Sequence, residues 1–366
     1  MNELPAEKKR NIVLVGHHGA GKTSLLEDFL FNTGAIDRRG SINDGNTFAD
    51  YLEEEKDKKI TLTSKVIRCT HKGTELTFID TPGYSDFIGD ILGAIRVADG
   101  AMLVVDAESG VDVETEKIWG YLEQYNIPRV VVVNRMDKER ADWDGALQSL
   151  RDELGAKLVP VRFPVGKHTD FKSIVSVLTG KQQFFNPKGT VEKEDQVSGD
   201  LASQRDSYYE EMMDAAVEMD EALMERYLEG ESVSDEEIRN GLQNAAISGS
   251  AVPVFCTAAT TGIGISSLLD GLVNLLPDPL QRSLVTIQKG EEKKELEIKE
   301  EGSGIGLVFK SVIDPFVGKM SFVKVFSGTF SSDSELYNRT SGKHEKVSHL
   351  LAVNGRQHNN VAHARA

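Results

Sequence analysis

The sequence has little cysteine, no basic excess and no long apolar run. Only two cysteines, Cys69 and Cys256, occur in 366 residues; they lack metal-ligand spacing and form no disulfide framework. Both fall in segments read as strand or strand end, which suits buried thiols in a reducing compartment. The formal net charge is −16 with a pI near 5.0, so no bulk basic field draws the chain to DNA, although a local basic face remains compatible with a ribonucleoprotein partner. The N-terminal stretch MNELPAEKKR is too polar for a secretory signal, and no apolar run reaches the length of a membrane span. Internal repeats and low-complexity tracts are also missing. These absences predict a cytoplasmic protein without membrane contact. The rest is ordinary for a globular chain, with 39% hydrophobic and 27% charged residues and length for two or three domains with their own cores.

The stretch GHHGAGKTS, Gly16 to Ser24, follows the apolar run Ile12–Val15 and opens a segment whose apolar positions recur at helical spacing up to Gly34. Gly16, four residues, then Gly21, Lys22 and Thr23 is the spacing of a P-loop. Its glycines let successive N–H groups of His17, His18, Gly19, Ala20 and Gly21 curl toward phosphate oxygens, and the helix N-terminus at Ser24 adds partial positive charge. Lys22 is expected to reach the β- and γ-phosphates and the Thr23 hydroxyl to ligate Mg²⁺. Next comes a polar stretch, 40–57, expected to be an exposed mobile loop. Ile60–Thr63 and Lys65–Arg68 then read as one alternating strand, paired through His71–Thr74 with the strand ending at Ile79. Asp80-Thr81-Pro82-Gly83 follows that strand. Alone it reads as a turn, but behind a P-loop the Asp80 carboxylate is placed to hold the Mg²⁺ shell, and Gly83 to offer a backbone N–H to the γ-phosphate.

Ala101–Asp106 is an uninterrupted apolar strand of the kind buried in a parallel sheet, with a crossover helix at Glu114–Tyr125. Arg129–Val133 runs into Asn134-Arg135-Met136-Asp137. A carboxylate at Asp137 can accept from guanine N1–H and the 2-amino group together, which adenine cannot offer. Asn134 is expected to brace the loop and meet the ring edge, and the stem of Arg135 to lie over the base. The strand Val252–Cys256 leads to Ala258-Ala259, whose backbone is expected to close over guanine O6. The helix Ile265–Leu276 ends at Pro277-Asp278-Pro279, the expected end of a first domain, 1–280, carrying an inserted α/β subdomain at about 158–250. That insert holds helical runs at 206–229 and 234–247 and a β-like stretch near 159–189. The charged run KGEEKKELEIKEEGS lacks an apolar face and reads as part of a linker, 281–303. From 304 on, Ile305–Lys310, Met320–Phe326 and Lys346–Leu351 alternate as in a small antiparallel barrel. The fold class is α/β: a P-loop domain with a mainly parallel sheet and an insert, followed by part of an antiparallel β-barrel.

The ordered set GHHGAGKTS, DGNTFADYLEEEKDKKITLTS, DTPGYSDF, NRMDK and CTAATTGIG resembles the translational GTPases over nearly the whole chain. The insert and the string FKSVIDPFVGKMSFVKVFSGTF are similar to elongation factor G and its elongation factor G-like paralogues. The resemblance implies GTP and GDP as ligands with Mg²⁺ held by Thr23, Thr61 and Asp80. It implies Thr61 as the switch threonine that also contacts the γ-phosphate, and Gly83 and Tyr84 at the head of a second switch. It further implies a ribosome-stimulated GTPase, active as a monomer, whose second domain contacts small-subunit ribosomal RNA, with a ribosomal stalk protein as a further candidate partner. Two alternatives share these motifs, a ribosome-associated nucleotide-binding module without turnover and a ribosome-protection factor.

Four departures from the family pattern stand out. Tyr84 replaces a histidine that orients the attacking water, and a phenol titrates near pH 10, so slow hydrolysis without the ribosome is expected. Lys58-Lys59 replace Arg-Gly before Ile60-Thr61. Gly19 replaces an aspartate, and Ala258 replaces a serine. The chain ends at HNNVAHARA, before the barrel expected from the resemblance would close.

Overall fold

A computed structural model describes residues 4–282, 284–289, 292–299, 301–314 and 318–366, without the side chains of 284–289 and 292–297. The apolar runs form the strands of one seven-stranded sheet. In chain order, β1 (Lys9–Val15) leads to α1 (Lys22–Asn32), a short α2 (Glu53–Lys58), and the hairpin of β2 (Lys65–His71) and β3 (Thr74–Asp80). Then come α3 (Ile88–Val97), β4 (Gly100–Asp106), α4 (Val113–Gln124), β5 (Arg129–Asn134), α5 (Trp143–Leu154) and β6 (Leu158–Pro160). The sheet order is β2-β3-β1-β4-β5, then β11 (Val252–Cys256), then β6. All its pairs are parallel except β2 with β3. Helices cover both faces, so Val130, Val131, Val132 and Val133 are all fully buried, as a continuous apolar strand in a parallel sheet requires. Register places Leu14 beside Asp80 and Asp106 beside Asn134. The loops that follow β1, β3, β4, β5 and β11 therefore meet at one edge, where open α/β sheets bind ligands.

The insert departs from its expected start. Residues 158–160 pair with β11 inside the main sheet, so the inserted part begins after β6. It contains an antiparallel sheet of β7 (Arg162–Val165), β8 (Ser173–Ser176), β9 (Lys181–Phe185) and β10 (Val191–Gln196). Its helical part is three helices, not two: α6 (Asp200–Val217), α7 (Glu221–Leu228) and α8 (Asp235–Ser248). Asp220 breaks the expected 206–229 run by leaving helical geometry and capping Leu223 N at 3.0 Å. Gly241 of α8 lies so near α6 that a Cβ would meet Ala216 O at 2.1 Å. The part of the chain that carries the seven-stranded sheet closes with α9 (Ile265–Leu275).

The expected linker holds a hairpin of β12 (Leu284–Lys289) and β13 (Glu292–Glu297); backbone pairing supplies an order that the alternating charges conceal. Beyond it lies antiparallel structure: β14 (Ile305–Asp314) with β15 (Gly318–Ser327), β16 (Thr329–Ser331) with β21 (His363–Arg365), β17 (Glu335–Asn338) with β18 (Lys343–Lys346), and β19 (Leu350–Asn354) with β20 (Gln357–Val361). The expected strand 346–351 is split between β18 and β19. Ile298, Val325, Phe326, Phe330 and Ala366 form a small separate core. Pro315 of the expected turn is outside the described residues. Both cysteines are free and buried, Cys69 in β2 and Cys256 in β11, and burial pushes both thiols up, Cys69 to about 12. Among the described residues no helix is long and apolar enough to cross a membrane.

Candidate functional site

The P-loop leaves β1 at Gly16, where φ is +142° and a Cβ would lie 2.2 Å from Val104 O; only glycine passes this point. Gly21 has φ +95°, and a Cβ there would meet Asn134 Nδ2 at 2.4 Å. The loop between is exposed at Gly19, half-buried at His17 and His18, and buried at Ala20, whose N–H donates to His17 O at 3.3 Å. Lys22 and Thr23 begin α1, with Ser24 beside them in its first turn. The Lys22 ammonium is buried and donates to Gly16 O at 2.7 Å and His17 O at 3.0 Å, gathering the loop around itself. Burial lowers its pKa to about 8, against the raising influence of Asp80 and Asp112.

Thr23, Thr61 and Asp80, far apart in sequence, converge. Thr23 Oγ1 donates to Asp80 Oδ2 at 2.9 Å and lies 3.1 Å from Thr61 Oγ1. Thr61 Oγ1 in turn donates to Asp50 Oδ1 at 2.9 Å. The second oxygens, Asp80 Oδ1 and Asp50 Oδ2, are buried with no hydrogen-bond partner among the described residues. Burial and the nearby Asp50 push the Asp80 carboxyl up to about 7, and burial likewise raises Asp50. Two hydroxyls and two carboxylates, with two buried oxygens unmatched, form a hard oxygen donor set that suits magnesium.

Asp50 was not among the residues expected from sequence, because 40–57 read as exposed. That reading is corrected. Glu27 accepts Gly40 N at 2.8 Å and Phe48 N at 2.9 Å, so α1 holds the stretch down. Ala49, Asp50 and Glu55 are buried. The apolar residues Phe48, Ala49 and Tyr51 around Asp50 were the available signal. The expected strand Ile60–Thr63 is also absent. Glu55 accepts Leu62 N at 3.0 Å and Thr63 N at 3.4 Å, and Asp90 accepts Ser64 N at 2.5 Å. With these amides held by side chains, strand pairing starts only at Lys65. Lys59, where the family carries glycine, still takes the left-handed backbone at φ +57°, a conformation costly for a residue with a Cβ.

At the loop after β5, Asn134 makes three side-chain hydrogen bonds. Its Nδ2 donates to Ala20 O at 2.9 Å, and its Oδ1 accepts from Thr257 Oγ1 at 3.1 Å and Ala259 N at 3.3 Å. Asn134 thus ties the P-loop to the loop after β11, and these bonds use one of its two Nδ2–H donors. Ala258 N donates to Ile263 O at 3.1 Å, so both expected backbone donors have protein partners. Arg135, at φ +68°, donates to Gly19 O at 2.9 Å and pairs with Asp106 Oδ2 at 2.7 Å. Asp137 Oδ2 accepts from Thr260 Oγ1 at 2.5 Å, while its Oδ1 is buried with no partner among the described residues. Arg39 adds a brace, pairing with Asp28 at 2.7 Å and donating to Ala259 O and Thr260 O, both at 3.0 Å.

The second domain also reaches this edge, through residues that motif reading did not single out. Lys310 of β14 donates to Ser64 O at 2.6 Å and to the Thr63 hydroxyl, and lies 3.4 Å from Asp90 of α3. Arg356, after β19, donates to Tyr51 O with its guanidinium 5.2 Å from the Tyr51 ring centroid.

Comparisons with known proteins agree with this layout. Residues 7–278 match the family model of the elongation factor Tu GTP binding domain, and residues 304–366 match that of elongation factor G domain 2. Elongation factor G of Thermotoga petrophila is 36% identical over 365 residues, covering 98% of this chain and 52% of that protein. Elongation factor G of Fervidobacterium nodosum is 37% identical over 364 residues, again with 98% and 52% covered. A crystal structure of a Thermus thermophilus protein matches with a TM-score of 0.86 at 32% identity, covering 98% of this chain and 51% of that one. The chain spans about half the length of the curated relatives it matches.

Proposed function

We propose that this chain, which belongs to the elongation factor Tu GTP-binding domain family, is a magnesium-dependent GTPase switch of the elongation factor G type that works on the ribosome. The observation that carries the reading is the convergence of Thr23, Thr61 and Asp80, from three separate segments, around two buried and unmatched carboxylate oxygens. Thr23, Thr61 and Asp80 would hold the cation, with Asp50 oriented behind Thr61. Bound there, magnesium would neutralise charge on the β- and γ-phosphate oxygens. Lys22 would exchange its two carbonyl partners for phosphate oxygens, a stronger charge-assisted pairing. Asp137 would select guanine through its unpartnered buried oxygen. The backbones at Ala258 and Ala259, held by Asn134 and the following turn, shape the wall of the base pocket. Thr61 and Gly83 lie on the two segments that would sense the γ-phosphate and relax after hydrolysis. Tyr84, in the place of the family's histidine, makes turnover slow in the absence of the ribosome.

On this reading the functional units are 1–280 with its insert and 304–366. The second domain meets ribosomal RNA, a stalk protein is a further ribosomal partner, and the molecule acts as a cytoplasmic monomer. The test is equilibrium binding of GTP, GDP and ATP with magnesium and with EDTA, followed by phosphate release with and without ribosomes. The expected result is guanine nucleotide binding at least about 100-fold tighter than ATP, weakened by EDTA, and phosphate release that ribosomes accelerate. Equal binding of ATP, or no nucleotide binding, would sink the reading.

A further inference from the structure

Beside Lys22 the P-loop and the turn after β3 press directly together. A Cβ on Gly83 would lie 2.6 Å from His18 Cα, 2.7 Å from His18 N and 2.7 Å from Lys22 Nζ. Glycine lets the two backbones and the ammonium meet, and the ammonium marks the γ-phosphate end of a P-loop. Next to this contact the rings of His18 and Tyr84 stack, with centroids 4.1 Å apart and planes 21° apart. The P-loop pattern fixes Gly16, Gly21, Lys22 and Thr23 and asks nothing of position 18. Of the two stacked side chains, the phenol keeps its proton to about pH 10, whereas a neutral imidazole offers one donor and one acceptor near neutrality.

We propose that His18 is the water-positioning residue of GTP hydrolysis in this chain, with Tyr84 stacked on it to fix the plane of the imidazole. The inference rests on the GTPase reading above. In the reaction the water oxygen bonds to the γ-phosphorus as the bond from that phosphorus to the β–γ bridging oxygen breaks. GDP keeps the bridging electron pair, and both water protons leave on inorganic phosphate. His18 accepts a hydrogen bond from the water and takes up no net proton. The role requires the neutral ring. Burial, the Lys22 ammonium and His17 all lower the His18 pKa, against an opposing Glu114, so that form prevails at neutral pH. With Tyr84, these are the titratable and charged groups that face the ring. Turnover should therefore fall on acidification, as pH passes below the ordinary imidazole range.

The test is single-turnover GTP hydrolysis with ribosomes from about pH 5.5 to 8.5, on the full chain and on His18→Ala, His18→Gln and Tyr84→Phe, with fluorescent GDP binding measured on the same preparations. His18→Ala is expected to slow hydrolysis about 100-fold and to remove the acid limb of the pH profile, with GDP affinity unchanged. His18→Gln, which keeps an acceptor, should recover part of the rate with no acid limb, and Tyr84→Phe, which keeps the stack, should retain most of the rate. Parental turnover in His18→Ala, or an acid limb that persists in it, overturns the proposal alone. Loss of GDP affinity in both His18 variants also overturns it, by assigning the residue to the fold of the P-loop. A parent that binds GTP but never hydrolyses it overturns the GTPase reading together with this one.

Discussion

The two ends of the site are built on opposite electrostatic plans. At the guanine end most polar groups are matched within the protein: Asn134 satisfies Ala20, Thr257 and Ala259, Arg135 satisfies Gly19 and Asp106, and Arg39 satisfies Asp28, Ala259 and Thr260. Among the described residues two oxygens are left over, Asp137 Oδ1 and, behind Arg39, Asp28 Oδ2. At the phosphate end the buried groups are charged and poorly matched. Asp80 is pushed up to about 7 and Lys22 down to about 8, each chiefly by burial, and two carboxylate oxygens have no partner. Buried polar groups that are matched support a fold, whereas unmatched charges oppose it until something complements them. The guanine end should therefore matter to the fold as well as to the ligand, and the phosphate end mainly to the ligand.

The largest expected effect lies at the phosphate end. Lys22→Met removes a buried ammonium and keeps an apolar stem. GDP affinity should drop by more than about 100-fold, or about 3 kcal/mol. Thermal stability measured without nucleotide should hold or rise. A collapse of that stability would erase the contrast, because Lys22 would then be as structural as Asn134.

Asn134→Ala should behave in the reverse manner. It strips the Ala20 carbonyl, the Thr257 hydroxyl and the Ala259 N–H of their buried partner, at a cost of about 2–3 kcal/mol. Urea denaturation without nucleotide should show that loss in the midpoint, at unchanged slope. An unchanged midpoint would mean that the guanine end is held by its backbone alone.

The sequence revealed the phosphate end more fully than it revealed the contacts that support it. Gly16, Gly21, Lys22 and Asp80 were legible because strand, turn and helix chemistry coincide within a few residues, so spacing alone brings them to one edge of the sheet. Asp50 was not legible. Its stretch is polar, and burial there depends on Glu27 and Glu55, which accept backbone amides from segments remote from themselves. The same long-range bonds override the alternating pattern of Ile60–Thr63. Strand 158–160 was assigned to the insert because its partner, β11, lies more than ninety residues on, and no local pattern records a pairing of that separation. Lys310 and Arg356 were missed for a related reason: an exposed-looking cation in a β pattern gives no hint of the loop it will meet.

Asp28 supplies the smallest and most discriminating test, because it is a charged group at the guanine end. Its Oδ1 accepts from Arg39 at 2.7 Å while its Oδ2 is buried without a partner. Burial outweighs Arg39 and raises the carboxyl from 3.8 to about 7. For an acid whose folded pKa is raised, the folded state keeps a proton that the unfolded state releases. Its contribution to stability is then fully present below about pH 4 and is lost as pH climbs to about 7. A shift of about 3 units sets a ceiling near 4 kcal/mol, and relaxation around the site reduces the observable part to about 1 kcal/mol. Asp28→Asn stays neutral throughout, so its stability relative to the parent should rise by that amount between about pH 4 and pH 8, read from paired thermal melts without nucleotide. If Arg39 instead fully matched the carboxylate, both states would be ionised above about pH 5 and the difference would stay flat. A flat difference would extend the matched character of the guanine end to its one buried acid, whereas the expected rise shows that even there an unmatched oxygen opposes the fold.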